Sequence, residues 1–399
     1  MTPVTTLPAL PSASDPDVVD WVRTHLGHLS GDEVRASSIR GGQRAADAAL
    51  AALDLTGYAR NRSQVLPERS RGASKMSPYV RHGLITLPQL WAAAGDAPRA
   101  DATKYRDELL WQEYARHLYA RLGRELGESL RTEPPVTAGE DVDPWDRQMA
   151  CMDATVTELE EDGWLVNQTR MWLASQWTVR GGRAWWDGED RMYRNLLDGS
   201  RAANRLGWQW TTGSGSAKPY GFSRWQVEKR APGLCFTCSL KKACPIQDWP
   251  EAEAGPSIAP PSGLAGGPTD SGPSRPLVTG TPEVVWLTAE SLGSEDPALL
   301  AHPDLPRVFV FDEPLLRGLR LSGKRLVFLA EALAERDVEV RLGDPVVELA
   351  GRPLAVTYAP VPGFRERSAR LDVAALHPWP WLRQPSSGSL RSFSAWRGR

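Results

Sequence analysis

A stretch rich in proline, glycine and serine at residues 251–281 divides the chain into two parts whose apolar residues follow different periods. From residue 41 to residue 250, apolar side chains recur at helical spacing, which predicts amphipathic helices. Beyond the stretch, short apolar runs at 283–287 and 307–311 precede a helical segment at 324–336. Apolar runs of this length are typical of buried parallel strands, so the sequence predicts two domains of different class.

Two further apolar runs, at 338–342 and 354–359, continue the alternation of strand and helix and predict a small Rossmann-like α/β domain. The predicted fold class is therefore multi-domain, with an all-α domain followed by this α/β domain. The stretch between them has too few large apolar residues to form a core. The predicted segments are an N-terminal extension (1–35), an α-helical domain (36–250), a disordered linker (251–281), a reduced α/β domain (282–380) and a flexible tail (381–399).

The formal net charge is −2, so no overall positive field indicates nucleic-acid binding. A DNA contact would need a local group of cations, and the sequence offers one in Lys218, Lys229, Arg230, Lys241 and Lys242. No segment approaches the roughly 20 apolar residues of a membrane span, and the first residues lack the pattern of a secretory signal. We expect no membrane partner and a cytoplasmic location, where thiols stay reduced.

The chain has four cysteines, and three of them, Cys235, Cys238 and Cys244, lie in one C-x2-C-x5-C run followed by proline. Such a run brings three thiolates around one point, and the distant Cys151 can complete a set of four. Four thiolates suit a zinc ion or an iron–sulfur cluster, and the spacing alone leaves both open. The remaining alternative is four unrelated buried thiols.

Four segments, at 72–86, 108–118, 153–171 and 196–210, resemble in this order the FAD-binding domain of DNA photolyases and cryptochromes. The resemblance implies that the helical domain is a photolyase-type domain that binds FAD. The residues it assigns to the cofactor are Tyr58, Ser74, Lys75, Met76, Ser77, Tyr105, Glu108, Asn167, Arg170, Asp198 and Asn204.

The implied cofactor contacts have a physical basis. Ser74 and the next three residues precede a predicted helix start, where hydroxyl and backbone N–H groups bind phosphate oxygens. Arg170 and Asp198 correspond to an ion pair beside the flavin, whose guanidinium favours negative charge nearby. Asn204 corresponds to the residue opposite flavin N5. An ordinary capped helix and a structural salt bridge are the alternatives.

Glu108, Trp111 and Asn167 correspond to residues that meet a flipped DNA lesion, where a tryptophan face receives the bases and polar groups read their edges. Trp185 and Trp208 correspond to tryptophans that pass an electron to the flavin. Core packing is the alternative for the tryptophans. Candidates for a third member of the electron chain are Trp145, Trp164 and Trp172.

Residues 217–245 resemble the end of the catalytic domain in iron–sulfur bacterial cryptochromes and photolyases, and Cys151 matches the isolated first ligand of that group. This resemblance implies a [4Fe–4S] cluster on the four cysteines rather than zinc. The C-terminal α/β region resembles the domain that normally comes first in the family, which implies a reversed domain order. That domain often binds an antenna chromophore, so an antenna is a further candidate ligand.

The activity implied is light-dependent DNA repair, in which photoexcited reduced FAD donates an electron to a pyrimidine dimer or a (6-4) photoproduct. Damaged DNA is then the expected partner, with no obligate protein partner. One alternative is a cryptochrome-type blue-light photoreceptor without repair activity, which Gln112 favours because an arginine is frequent at that position. The other is a light-independent DNA-binding iron–sulfur module without flavin.

Overall fold

The computed structural model of the protein describes residues 5–12, 15–139, 143–216, 218–252 and 254–398. In these ranges, no helix combines the length and the apolar character that crossing a membrane requires. The helices are α1 (Asp15–Leu26), α2 (Gln43–Ala51), α3 (Tyr58–Asn61), α4 (Ser77–Arg81), α5 (Leu87–Ala93), α6 (Arg99–Leu122), α7 (Ala150–Glu161), α8 (Asn167–Ala174), α9 (Trp185–Asn195), α10 (Arg201–Thr212), α11 (Arg224–Arg230), α12 (Leu234–Thr237), α13 (Pro297–Ala301), α14 (Glu313–Leu319), α15 (Gly323–Ala334), α16 (Pro345–Glu348), α17 (Phe364–Ser368) and α18 (Phe393–Arg397). Short 3-10 helices lie at Gly27–Leu29, Glu68–Ser70, Ala94–Asp96, Gly123–Gly127 and Ser262–Leu264, and the π-helical segment Ser175–Arg180 continues α8. The strands are β1 (Leu277–Val278), β2 (Val284–Leu287), β3 (Arg307–Asp312), β4 (Glu339–Gly343), β5 (Leu354–Thr357) and β6 (Val373–His377).

The chain folds into two compact units, each built from separate stretches of sequence. The first unit comprises residues 1–53, 76–92 and 269–386, and the second comprises 54–75, 93–268 and 387–399. These boundaries differ from those that the sequence predicts. The predicted N-terminal extension and two parts of the predicted helical domain, up to residue 53 and from 76 to 92, belong to the unit that contains the sheet.

Contacts around α15 explain why the N-terminal residues join the sheet. α1 packs on α15, and the buried carboxylate of Glu331 accepts hydrogen bonds from the Arg40 guanidinium and from the Gly41 N–H. A Cβ atom at Gly41 would lie 2.2 Å from the carbonyl oxygen of Phe328, so glycine is required for this approach. Contacts between residues so distant in sequence leave no local periodicity, and the pattern of apolar residues therefore does not reveal them.

The strands form one sheet in the order β1-β6-β5-β2-β3-β4, with β1 antiparallel to β6 and the other neighbours parallel. Every residue of β2 and β5 is buried, as expected for central strands covered on both faces. The four predicted strands correspond to β2, β3, β4 and β5, and the predicted helix corresponds to α15. β1 has two exposed residues, which is too short a run to show a period.

The second unit is helical, and α10 packs on α6, α8 and α9 at its centre. Near the start of α6, the carboxylate of Asp101 accepts hydrogen bonds from the N–H groups of Gly57 (3.0 Å) and Ala59 (2.8 Å) and so positions α3. The buried core of this unit is unusually rich in tryptophan, with Trp145, Trp172, Trp177, Trp185 and Trp208.

Two segments that the sequence predicts to be disordered or flexible make defined contacts. Leu264, in the predicted linker, is buried, and the same segment supplies β1. Phe393 and Trp396, in the predicted tail, are buried, and the Trp396 indole N–H donates a hydrogen bond to His117 Nδ1 at 2.9 Å. A few aromatic anchors thus order a segment whose overall composition is polar.

Candidate cofactor and cysteine sites

Arg170 and Asp198 form an ion pair in the second unit, as the resemblance implies. The Arg170 Nη2 lies 2.7 Å from Asp198 Oδ2, and the Arg170 Nε–H donates to the carbonyl oxygen of Leu165 at 3.1 Å, which orients the guanidinium. Asp198 is buried, and its second oxygen, Oδ1, has no hydrogen-bond partner among the described residues. One carboxylate oxygen is therefore neutralised while the other is left for a further donor.

Asn204 lies in the first turns of α10. Ser200 caps this helix, because its hydroxyl accepts a hydrogen bond from the Ala203 N–H. The Asn204 side chain is buried, and its Nδ2 has no hydrogen-bond partner within the described ranges. A buried polar group without a partner costs about 1–3 kcal/mol. Asn204 Nδ2 and Asp198 Oδ1 therefore fit a polar ligand, and a flavin has donors and acceptors suited to both.

The predicted cofactor residues Tyr58 and Tyr105 lie together. Their rings meet edge to face with centroids 5.0 Å apart, and the Tyr105 hydroxyl donates to Ser74 Oγ at 3.4 Å. Burial raises the pKa of Tyr105 to about 12, and it raises the pKa of Tyr58 further. Both phenols therefore stay protonated at neutral pH and can donate hydrogen bonds.

The predicted phosphate clamp is divided between the two compact units. Ser74 and Lys75 belong to the second unit, and Met76 and Ser77 belong to the first. Lys75 has a φ of 56°, which is uncommon for a residue with a side chain, and its Nζ lies 5.4 Å from the Trp164 ring centroid. Ser77 begins α4, with proline next to it in the first turn, as the sequence predicts.

The three residues predicted to meet a DNA lesion do not form one open surface. Glu108 is held by Lys104 Nζ at 2.8 Å and by Arg62 Nε at 3.2 Å, and Asn167 is an exposed residue at the start of α8. Trp111 stacks on Phe393 of α18, with ring centroids 3.9 Å apart and planes at 10°. An aromatic ring from the chain's own C-terminal segment thus covers the face that the sequence assigns to flipped bases.

The two tryptophans assigned to electron transfer are buried. The indole N–H of Trp185 donates to Ser129 Oγ at 3.1 Å, and that of Trp208 points at Met192 Sδ at 3.4 Å. A Cβ atom at Gly188 would lie 2.3 Å from Trp208 and 2.7 Å from Trp177, so both rings pack on this glycine.

Trp177 is a neighbour of Trp208 that sequence reasoning missed, since the two residues lie on different helices without a shared period. Among the candidates for the third tryptophan of the electron chain, Trp145 packs on Trp177 with ring centroids 5.1 Å apart. Trp172 stacks on Phe222 at 5.9 Å, and Trp164 lies under Lys75.

The four cysteines line a single cavity in the second unit, together with Arg224. None forms a disulfide. Burial, and secondarily the three other thiols, raise the pKa of Cys151 to about 12, so a thiolate there requires a compensating positive charge. Within the described residues, no group of three or more His, Cys, Asp or Glu side chains is placed to hold a single metal ion.

Residues 105–230 match the family described as the FAD binding domain of DNA photolyase. This segment is therefore similar to the FAD-binding domain of DNA photolyases. The match supports the FAD-binding domain that the sequence predicts, and the matched residues include Arg170, Asp198 and Asn204. Three of the four cysteines lie beyond the matched residues.

Curated relatives resemble part of the chain. It is 33% identical over 200 residues to a deoxyribodipyrimidine photo-lyase of Thermus thermophilus, covering 45% of this chain and 44% of that protein. It is 30% identical over 165 residues to a deoxyribodipyrimidine photo-lyase of Synechococcus, covering 36% of this chain and 33% of that protein. The chain therefore spans less than half the length of these relatives.

Among solved structures, a bacterial class III photolyase from Agrobacterium tumefaciens is similar with a TM-score of 0.42 and 26% identity, over 55% of this chain and 46% of that one. A cryptochrome from Synechocystis is similar with a TM-score of 0.44 and 20% identity, over 50% and 46%.

Proposed function

We propose that the protein is a light-dependent DNA repair enzyme of the photolyase type. The observations that carry this proposal are the Arg170–Asp198 ion pair and the buried Asn204, all within the residues that match the FAD-binding domain of DNA photolyase. When bound, reduced FAD supplies a photoexcited electron donor for a pyrimidine dimer or a (6-4) photoproduct. The protein's own residues then bind, orient and electrostatically tune that cofactor.

Each residue of the set has a distinct task in this proposal. The Arg170 guanidinium, held by Asp198 and by a backbone carbonyl, keeps a fixed positive charge in a poorly solvated place, where charge acts more strongly than in water. Asp198 Oδ1 accepts a hydrogen bond from the cofactor, and Asn204 Nδ2 donates one. Tyr58, Tyr105, Ser74 and Lys75 would hold the rest of the cofactor through hydroxyl and ammonium groups.

The proposal is tested by measuring flavin absorption and the light-dependent removal of DNA lesions. The purified protein is expected to show flavin absorption and to remove lesions from ultraviolet-irradiated oligonucleotides under blue light but not in the dark. Flavin absorption without any light-dependent loss of lesions would reject repair and leave the photoreceptor function.

The photoreceptor is the second candidate because of the stack between Trp111 and Phe393. A tryptophan whose face is covered by the chain's own α18 cannot receive a base unless that segment moves. In this second function the same cofactor chemistry reports light through a change in the protein, and damaged DNA is not the substrate.

We further propose that the four cysteines hold a [4Fe–4S] cluster, as in the iron–sulfur group of this family. Their joint position around one cavity supports the proposal. Zinc, with bonds to sulfur of about 2.3 Å, is the rival ligand for the same four thiolates. A cluster of four irons spaces its ligands farther apart.

Measuring the metal and sulfide content of the purified protein distinguishes a [4Fe–4S] cluster from a zinc ion. We expect about four iron atoms and four acid-labile sulfides per chain, lost in Cys151→Ser and retained in Ser239→Ala, a matched change in the same loop as Cys238. One zinc per chain and no sulfide would establish the rival site.

The remaining parts of the proposal concern the whole chain. The sheet-containing unit corresponds in this proposal to the antenna-type domain of the family, placed here after most of the FAD-binding domain. An antenna chromophore would bind there, and the protein would act in the cytoplasm.

A further inference from the structure

Exposed aromatic side chains are concentrated in one short segment of the second unit. Among the described residues, the exposed tryptophans and phenylalanines are Trp186, Trp210, Trp225, Phe236 and Trp249. Four of these five lie between residues 210 and 249. Trp225 is 59%, Phe236 82% and Trp249 50% exposed, although most large aromatic side chains in a folded protein are buried.

Contacts join these residues into one surface, which we call the aromatic–basic surface (residues 210 and 218–250). The Tyr220 ring lies 5.5 Å from Trp210 and 6.2 Å from Trp249 between centroids. The Tyr220 hydroxyl accepts a hydrogen bond from Gln226 of α11 at 2.8 Å, and Trp225 is the preceding residue of that helix.

The loop that carries the last cysteines is tied to the same surface. Arg224 Nη1, at the start of α11, donates to the carbonyl oxygen of Lys241 at 2.8 Å. Lys241 Nζ in turn donates to the carbonyl oxygen of Phe236 at 3.2 Å. The exposed aromatic residues of α11, α12 and the following loop are therefore held by one continuous set of contacts.

The charge of this segment has the opposite sign to that of the chain. Residues 218–250 contain six Lys and Arg and two Asp and Glu, a formal charge of +4, whereas the whole chain has −2. Lys218, Lys229, Lys241 and Lys242 are exposed, and Lys229 Nζ lies 4.7 Å from the centre of the Trp225 ring. Exposed cations and exposed aromatic side chains thus occur together in this segment, which suits a polyanion with aromatic groups.

We propose that the aromatic–basic surface binds an unpaired strand of nucleic acid. Phosphates would contact the lysines, and bases would stack on Trp225 and Trp249. In a duplex the base faces are already stacked on one another, so exposed aromatic rings discriminate in favour of a single strand. This inference deepens the proposed DNA partner by naming a second contact, and it does not depend on the flavin.

The test is a titration in the dark with a labelled oligodeoxythymidine of about 20 nucleotides and with a duplex of equal length. We expect tighter binding of the single strand. Replacing Trp225 and Trp249 by alanine is expected to weaken that binding by about 5- to 150-fold for each stacked base lost, and phenylalanine at both positions should restore most of it. Trp186→Ala, an exposed tryptophan outside the surface, is the matched control and should leave the affinity unchanged.

The salt dependence tests the lysines separately. Lys241→Ala with Lys242→Ala should reduce the slope of log affinity against log salt by about 1.4, since each phosphate contact on a single strand contributes about 0.7. Equal binding of single strand and duplex would overturn the proposal. So would a loss in Trp186→Ala as large as in the double variant, or absent binding together with self-association that Trp225→Ala abolishes.

Measuring photorepair on the same preparations distinguishes a failure of this proposal from a failure of the proposed function. Repair without single-strand binding overturns only the aromatic–basic surface, and single-strand binding without repair overturns only the enzymatic function.

Discussion

At the scale of single residues, Asn204 and Asp198 each carry a polar atom that is buried and lacks a partner among the described residues. Such atoms are uncommon in folded proteins because leaving them unpaired is costly. Both lie in the second unit, and Asp198 forms an ion pair with Arg170. A bound ligand that completes their hydrogen bonds accounts for their retention better than packing does.

Asn204→Ala is therefore expected to leave the fold intact but to slow light-driven reduction of the bound flavin. Loss of one hydrogen bond to a charged partner is worth about 1.5–3 kcal/mol, which corresponds to a change of roughly 10-fold or more in the affected step. Bleaching of the flavin absorption under anaerobic illumination measures the effect. Asn195→Ala on α9 is the matched control, and equal time courses for all three proteins would contradict the role.

At the scale of elements, α18 is the segment whose position matters most for function. Five residues long, it places Phe393 flat on Trp111 and buries Trp396 beside His117. This contact both stabilises the second unit and covers the tryptophan that resembles a lesion platform. Removing the Phe393 ring should therefore have two measurable effects. It should destabilise the second unit, and it should uncover the face of Trp111.

Phe393→Ala is expected to lower the free energy of unfolding by about 3 kcal/mol, since a buried phenyl ring is lost. If Trp111 receives flipped bases, the same change should raise the affinity for lesion-containing DNA relative to intact DNA. Denaturant unfolding and DNA titration measure the two effects. Ser394→Ala, an exposed change on the same helix, should alter neither, and an unchanged lesion preference in Phe393→Ala would show that α18 does not restrict this site.

A second element-level feature is a histidine pair at the end of β6, where His302 Nε2 and His377 Nε2 lie 3.1 Å apart. Burial, and secondarily His302, lower the pKa of His377 below its ordinary 6.5. The unfolded chain therefore takes up this proton at higher pH than the folded chain. As a result, the contribution of His377 to stability is complete above about pH 6.5 and is lost as the pH falls below it.

His377→Asn is expected to remove this dependence, which amounts to at most about 1.4 kcal/mol per pH unit. Nearby Asp296, with a pKa raised to about 6 by burial, acts in the opposite direction between about pH 4 and pH 6. Urea unfolding of wild type and variant across pH 5 to 8 isolates the histidine contribution as a difference. Parallel stability curves would show that the pair has no such effect.

At the scale of the whole molecule, the chain passes repeatedly between the two units, so neither is a continuous piece of sequence. The sheet depends on residues before 54 through Glu331, which binds Arg40 and Gly41. On the same helix α15 as Glu331, Lys324 is almost fully buried, and its Nζ lies 4.0 Å from Asp32 Oδ2. A cut at the predicted linker would separate these buried charges from Arg40, Gly41 and Asp32.

The fragment 282–380, which the sequence predicts to be a domain, is therefore expected to lack a cooperative thermal transition, because its buried charges on α15 would face water or remain unpaired. Circular dichroism during heating, compared with the intact chain, is the measurement. Cooperative melting of the isolated fragment would show that residues before 54 are dispensable for the sheet.

The sequence by itself determined the features that depend on local periodicity and on short spacing. Helical and strand-like apolar patterns predicted α15 and the strands β2 to β5. The FAD-binding domain was predicted separately, from the resemblance of four segments to photolyases and cryptochromes. Apolar patterns of this kind can be read from the sequence because each pattern lies within a few turns of one helix or within one strand.

Only the tertiary structure decided which distant residues meet. It joined residues before 54 to the sheet, laid Phe393 on Trp111, and brought Trp177 against Trp208 around Gly188. Each of these contacts links separate elements, and its free energy depends on packing and desolvation after the chain has folded back on itself. No local pattern of residues encodes that outcome, because the same apolar or aromatic side chain is compatible with many partners until the backbone selects one.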